Sequence, residues 1–386
     1  MHRSARRRSA HRHPVRLAAV ALLAASLLAA CSSDDDDADT PTTTEASADG
    51  TTTEAGDGTT TTTEATGTSA APEGEVATGE PVPSSGCGPD ATTTTAELER
   101  RDIGDRYYLV STPADPAPDE PLPVVLDLHG LAEGAQVHSQ MSQFGPYAAE
   151  NGFIAAFPHG TGQPVKWQVS LDREGNPDLV FLDALLDDLE ATRCVDTSRV
   201  YATGLSYGAI MSSTLGCAMT DRIAAIAPVD GLSVPDGCEP ERPVPVLTFH
   251  GTKDPILLFN GGVANLGGIL GGPDEKTEPP EADLNGEGYP AAAATWAEMN
   301  GCQGEPVDED LTESVIERTW DCPPESPVVF EIMVGAGHSW PGSEFSEGIA
   351  GIVGPTDTSI DGTDMIWRFF QRFQLPPDGA SSDTDA

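Results

Sequence analysis

Three residues far apart in the chain have the types that acyl-transfer chemistry needs. Ser206 stands in the frame Gly204-Leu205-Ser206-Tyr207-Gly208. A serine hydroxyl attacks a carbonyl only when a base takes its proton and a third group holds that base in the right tautomer. The frame alone decides little, since GxSxG arises by chance about 0.3 times in a chain of this length and glycine content. Its surroundings say more. "RVYAT" before it reads as a strand, and "YGAIMSSTLGCAM" after it as the start of a helix rich in small residues. The serine therefore falls at a sharp strand-to-helix turn, with glycines where strand and helix crowd each other. The bland alternative is a serine capping an ordinary turn.

Only His250 and His338 follow that serine. On this kind of turn the chain order is nucleophile, acid, base. His250, at the end of "VPVLTFHG", comes too early and reads as a packing or hydrogen-bonding residue at a strand end. His338, in "VGAGHSWPG" just past the last apolar strand, is the expected base. Asp254 in "HGTKDP" is the expected acid, and Asp230 in "APVDG" the alternative one strand earlier. Asp221, Asp236 and the acids of 274–310 read as solvated charges. A tetrahedral intermediate also needs backbone N–H donors. Tyr207, directly after the serine, is one candidate. Leu131, following His129-Gly130 in "VVLDLHGLAEG", is the other.

The elements that must position these residues follow from hydropathy pattern. "PVVLDLHG", "GFIAAFP", "RVYATG", "RIAAIAPV", "VPVLTFHG" and "VVFEIMVGAGH" are near-continuous apolar runs separated by helical stretches, the pattern of a mostly parallel sheet with helices on both faces. "DLVFLDALLDDLEATR" sets Leu182, Leu185, Leu186 and Leu189 on one stripe, and "GTDMIWRFFQRF" sets Ile366, Phe369 and Phe370 on another. The fold class is thus α/β, and the serine turn makes it an α/β-hydrolase.

Residues 1–30 carry six arginines, no acid and the apolar run "LAAVALLAASLLAA", the layout of a secretory leader. It ends in "LLAAC", which resembles the lipobox of bacterial lipoproteins and makes Cys31 the expected lipidated residue and link to membrane lipid. Residues 31–86 hold thirteen acids, no lysine or arginine, and runs such as "DDDD" and "TTTTTEATG". They cannot bury a core. As a coil they would span roughly 40 Å, a tether for a catalytic domain over 87–377, with a short tail at 378–386.

The formal net charge is -42. Setting aside the six leader arginines and thirteen tether acids leaves 49 acids against 14 bases, which excludes a nucleic-acid partner, because phosphate attraction needs the opposite sign. Besides Cys31 there are six cysteines. In an exported chain an even set reads as disulfides, and spacing pairs Cys302 with Cys322, Cys217 with Cys238 and Cys87 with Cys194. No CxxC pair or HExxH motif accompanies them, so no metal site is expected.

Taken in order, "LHG", "PDLVFLDALLDDL", "RVYATGLSYGA", "IAAIAPVDG", "FHGTKDP", "NGG", "NGC" and "GHSWPG" resemble the secreted esterase family that includes polyhydroxybutyrate depolymerases and feruloyl or acetylxylan esterases of the first carbohydrate-esterase family. The resemblance runs from about Cys87 to Leu375. It implies Ser206, Asp254 and His338 as triad, the amides of Tyr207 and Leu131 as oxyanion hole, and Trp340 beside the histidine, shaping the acyl pocket. The turn at His129 and Gly130 is a further expected substrate contact. The chain departs from the family at Tyr207, where Asn or Ala is usual, and in the longer segment 261–288 after Asp254.

The expected function is an extracellular, lipid-anchored serine esterase acting on feruloyl, acetyl or other short-chain esters without a cofactor. A polyhydroxybutyrate depolymerase, a cell-envelope acyltransferase and a non-catalytic polymer-binding lipoprotein are the alternatives. The oligomeric state is not legible.

Overall fold

Strands without a polar face can be buried only between two helical layers, and the chain builds such a sheet. The computed structural model describes residues 77, 79–264, 266–270 and 278–376. The expected leader 1–30, Cys31, most of the expected tether and the tail 378–386 lie outside the described residues. Among the described residues no helix is long and apolar enough to cross a membrane.

In chain order the first half runs β1 (Glu99–Ile103), β2 (Arg106–Ser111), β3 (Leu122–Leu128), α1 (Ala135–Ser142), α2 (Phe144–Asn151), β4 (Ile154–Pro158), α3 (Pro177–Thr192), β5 (Val195–Leu205) and α4 (Tyr207–Ala218). The second runs β6 (Ala225–Val229), β7 (Val246–Gly251), α5 (Gly267–Leu270), α6 (Tyr289–Met299), β8 (Gln303–Asp310), β9 (Val315–Asp321), β10 (Val328–Met333), α7 (Glu344–Gly348), α8 (Ala350–Val353) and α9 (Gly362–Phe370).

The strands form one sheet in the order β1-β2-β4-β3-β5-β6-β7-β10-β9-β8. The six from β4 to β10 are parallel. The pairs at both edges are antiparallel, which extends the expected parallel sheet into a mixed one. Side chains alternate across it and feed two cores. Val124, Leu126, Val200 and Ala202 pack with Leu182 and Leu186 of α3, Met211 of α4 and Trp296 of α6. Val125, Tyr201, Ala225 and Ala227 pack on the other face with Phe144 of α2 and with Ile366 and Phe370 of α9. Burying each large apolar side chain contributes about 1.5–3 kcal/mol. The Tyr201 and Phe370 rings stack 4.7 Å apart, so the closing helix is locked to the strand that carries the serine. Helix α3 starts where it does because Pro177 follows Asn176, whose side chain accepts from the N–H groups of Asp178 and Leu179.

The expected boundary at 87 needs correcting. Val82 N–H donates to Asp196 at 2.9 Å, Ser84 N–H to the Val195 carbonyl at 2.9 Å, and Gly86 N–H to the Glu190 carbonyl at 2.7 Å. Residues 79–86 therefore dock on the end of α3 and the start of β5 and belong to the folded domain. Hydrogen bonds from their backbone and from Ser84, Asp196 and Arg199 hold them, so their lack of large apolar residues does not keep them loose. The disulfides are Cys87–Cys194, Cys217–Cys238 and Cys302–Cys322, the pairing their spacing predicts. Each constrains the unfolded chain by roughly 3 kcal/mol or more in the loop-entropy account.

Candidate active site

The chemistry-bearing residues meet at the carboxyl ends of the central parallel strands, where open α/β sheets bind ligands. Ser206 follows β5 at once and caps α4 with φ 60° and ψ -118°, a backbone position that costs a non-glycine residue roughly 1–3 kcal/mol. The flanking glycines allow it: a Cβ on Gly204 or Gly208 would run into the Leu128 carbonyl of β3. Helix α4 thus starts directly at the serine, with the positive end of its dipole there.

His338 lies in the loop after β10 and Asp254 in the loop after β7, both buried. His338 Nδ1 is 2.7 Å from Asp254 Oδ2. Asp254 Oδ1 accepts from the N–H groups of Ile256 at 2.7 Å and Leu257 at 2.9 Å, which fixes the carboxylate. An ionised carboxylate only accepts, so the neutral imidazole carries its proton on Nδ1 and leaves the Nε2 lone pair to act as base. Nε2 is buried without a hydrogen-bond partner among the described residues. Ser206 and His338 line the same cavity of about 250 Å³, and the bond between them is not formed; such bonds often close only in the substrate complex. Burial is the largest influence on the His338 pKa and lowers it, but the Asp254 carboxylate, its hydrogen bond and the charges of Asp230 and Glu133 together raise it above the ordinary value. Burial pushes Asp254 upward, yet His338 and His250 hold it below the usual carboxylate range.

Asp230, the alternative acid, is tied elsewhere. Its Oδ1 accepts from Gly251 N–H at 3.0 Å and its Oδ2 from Ser339 N–H at 2.8 Å, so it braces the loop backbones on either side of Asp254 and His338. Burial, reinforced by the Asp254 charge, raises its pKa. Asp230, Asp254 and His338 have metal-ligand types within 4.8 Å of one another. Every carboxylate oxygen among them is already engaged by an N–H, so the set reads as a hydrogen-bond network. His250 stacks on Tyr289 at 3.6 Å and bonds the Leu257 carbonyl at 2.9 Å, in keeping with a supporting place at the strand end.

Gly130 and Leu131 line the cavity, and the N–H groups of Leu131 and Tyr207 find no acceptor among the described residues. Two expected substrate contacts need correcting. His129 is fully buried behind the turn; it bonds the Gly130 carbonyl at 2.7 Å and accepts from Gly160 N–H at 2.9 Å. These partners require a neutral ring, and burial lowers its pKa to about 4. Trp340 is 1% exposed, donates to Thr363 Oγ1 at 3.0 Å and sets its edge against His138 and Phe144. A loop motif does not reveal which way a ring turns, and this one turns into the core. The cavity wall comes instead from Val137 and Met141 of α1 and from Phe345, Ile349, Ile352 and Val353 around α7 and α8. The described parts of the longer segment 261–288 do not line it.

A further buried group went unread in the sequence. Asp127 on β3 sits 2.7 Å from His138 Nε2 and accepts from Ser142 Oγ at 2.5 Å. His138 Nδ1 is 3.2 Å from Glu133 Oε1, and Glu133 Oε2 accepts from Gly130 N–H at 2.6 Å. The only sequence signal was three chemistry-bearing residues just around the His-Gly turn.

Fold and site together define an α/β-hydrolase with a serine, a histidine and an aspartate at the ends of its central strands. No protein-family model matches the chain. Feruloyl esterase B of Piromyces equi is 30% identical over 278 residues, covering 70% of this chain and 46% of its own length; the chain thus spans about half of that relative. NocK of Nocardia uniformis subsp. tsuyamanensis, which carries a provisional esterase designation, is 29% identical over 301 residues, 72% of this chain and 83% of its own. Among solved structures, the acetyl xylan esterase from Aspergillus awamori aligns with a TM-score of 0.46 at 14% identity over 70% of this chain and 98% of its own, a likeness too low to add to the topology.

Proposed function

We propose that this chain is an exported serine esterase that cleaves carboxylic esters through an acyl-enzyme. Ser206 Oγ attacks the ester carbonyl as His338 Nε2 takes its proton, and Asp254 stabilises the resulting imidazolium without taking the proton itself. The N–H groups of Tyr207 and Leu131 receive the oxyanion. Removing one such donor typically raises a barrier by about 3–4 kcal/mol. His338 then protonates the leaving alcohol, and water activated by the same ring releases the acid. The observation that carries this reading is the buried 2.7 Å His338–Asp254 pair, whose His338 lines the same cavity as a strained, glycine-flanked serine. The esterase names of the relatives support it.

The apolar wall and the cavity volume of about 250 Å³ suit a small acyl group, aromatic or short-chain, better than a long one. Acetyl or feruloyl groups on soluble oligosaccharides are the substrate class in this reading. The three disulfides favour an oxidising compartment. The leader and Cys31 add lipid anchoring at the outer face of the membrane.

Hydrolysis of p-nitrophenyl acetate by the purified domain and by Ser206→Ala tests the chemistry: the wild type turns over and the variant does not. Equal activity in both, or in neither, sinks the reading. Rates on methyl ferulate, acetylated xylo-oligosaccharides, hydroxybutyrate oligomers and a polyhydroxybutyrate film then test the substrate class, and film clearing without activity on the soluble esters would replace it with the depolymerase reading.

A further inference from the structure

We propose that Glu133 is a positioning residue for the oxyanion turn, held in place by a buried imidazolium, His138, whose far side is held by Asp127. The inference rests on the serine-esterase reading of the same cavity and adds to it the group that presents one of its N–H donors.

The geometry is specific. His138 has a carboxylate on each ring nitrogen, Asp127 at 2.7 Å and Glu133 at 3.2 Å. Ionised carboxylates only accept, so both nitrogens must carry protons and the ring is a cation. Burial would lower its pKa, and the charges of Asp127 and Glu133 raise it instead to about 10. The ring is fully buried, and Ser142 bonds the other oxygen of Asp127 at 2.5 Å. A buried charged set of this kind is weak evidence of added stability, and removing one partner leaves the others uncompensated. Its orientation therefore asks for another explanation.

That explanation lies at the free end of the chain of bonds. Glu133 Oε2 takes the Gly130 N–H at 2.6 Å. With that N–H turned toward Glu133 and the His129 carbonyl taken by Trp167 Nε1 at 2.8 Å, the peptide plane before Gly130 is fixed at both ends. The next N–H, that of Leu131, is left without an acceptor beside the cavity. Gly130 itself sits against the nucleophile: a Cβ there would lie 3.0 Å from Glu133 Oε2 and 3.5 Å from Ser206 Cβ. A tilt of this turn moves the Leu131 donor relative to the serine, and misplacement by about 1 Å at a reacting centre can cost 100-fold in rate.

The test compares wild type, Ser206→Ala, Glu133→Gln and Glu133→Ala with p-nitrophenyl acetate, measuring kcat, KM, thermal midpoint and the affinity of an aryl boronic acid, which mimics the tetrahedral state. Glu133→Gln keeps an acceptor for Gly130 N–H and a donor for a neutral His138, so it should retain kcat within about fivefold. Glu133→Ala should lose about 100-fold in kcat with KM within about threefold, and boronate affinity should fall in step with kcat/KM. Should Glu133→Ala not fold, Glu133→Asp, one methylene short of Gly130, carries the same expectation. A folded Glu133→Ala with kcat within threefold of wild type overturns the proposal, as does a loss of rate with unchanged boronate affinity. Wild type no faster than Ser206→Ala would overturn the serine reading itself, and the positioning role with it.

Discussion

Replacing Asp254 with asparagine distinguishes the two aspartates near His338 and puts a number on the hydrogen bond from His338 to Asp254. Asp254 makes one bond to the ring, at 2.7 Å, and two to backbone N–H groups, at 2.7 Å and 2.9 Å. An asparagine keeps its oxygen on Ile256 and Leu257, so the loop stays anchored; the 3.3 Å contact of His250 Nε2 with Oδ2 is lost, and His250 keeps its bond to the Leu257 carbonyl. The asparagine amide nitrogen then faces His338 Nδ1 as a donor, which that nitrogen can meet only by giving up its proton. The ring proton moves to Nε2, toward Ser206, where a base is needed. The wrong tautomer costs about 10⁴ in kcat, or about 5.4 kcal/mol of barrier at 1.36 kcal/mol per decade. The assay is p-nitrophenyl acetate hydrolysis at pH 7.5, with the fraction of competent sites counted by a fluorophosphonate and the thermal midpoint measured alongside. Asp230→Asn is the control, since Asp230 bonds the Gly251 and Ser339 backbone. Asp254→Asn with more than a tenth of wild-type kcat, or Asp230→Asn as damaging as Asp254→Asn in a folded protein, would refute the assignment of the acid.

Three further outcomes are expected. Gly208→Ala should cost about 3 kcal/mol or more, because its Cβ would meet the Leu128 carbonyl of β3; calorimetry showing an unchanged midpoint would remove the packing argument for the glycine frame. The pH profile of kcat/KM should fall on the acid side at a pH above the ordinary imidazole value, because His338 must be neutral to act and Asp254, Asp230 and Glu133 raise its pKa. Asp230→Asn should move that limb to lower pH, and a limb that stays put or moves up contradicts it. Glu331, buried on β10 opposite Glu317 of β9, has its pKa pushed well up by burial and by Glu317. A carboxyl whose folded pKa is raised favours the fold in its protonated form, so stability is lost as pH rises above the unfolded value near 4.3. Glu331→Gln should therefore raise the thermal midpoint at pH 8 and leave it nearly unchanged at pH 4; equal midpoints at pH 8 would show that the pair carries no such penalty.

How much of this was legible in the sequence depends on what each residue must do to be seen. The core strands and the helices around Leu182 and Ile366 announce themselves because burial on a periodic face leaves a periodic record. Ser206, Asp254 and His338 can be read from the sequence because each follows an apolar strand in the order that this turn demands. The edge strands cannot. β8 reads Gln303–Asp310 with almost every residue exposed, so no alternation marks it, and its acids are what keeps an open edge from pairing with another chain. Residues 79–86 dock through hydrogen bonds, many to backbone groups, which composition does not record. His129 and Trp340 were placed at the substrate because motifs give position along the chain but not the side a ring turns to. The Asp127–His138–Glu133 set was missed for a related reason: charged residues are rarely fully buried unless paired, and the pairing exists only once β3, the turn and α1 have folded together.

The central claim is that Ser206 becomes acylated. The most direct measurement is peptide mass spectrometry of the wild-type domain quenched during turnover of p-nitrophenyl acetate, with a fluorophosphonate-treated sample in parallel. An acetyl group, and separately a phosphonyl group, is expected on the peptide carrying Ser206, with the acetyl group gone once substrate is exhausted and neither adduct formed in Ser206→Ala. Turnover with no adduct on that peptide, or an adduct that persists on another residue when Ser206 is replaced, would contradict it.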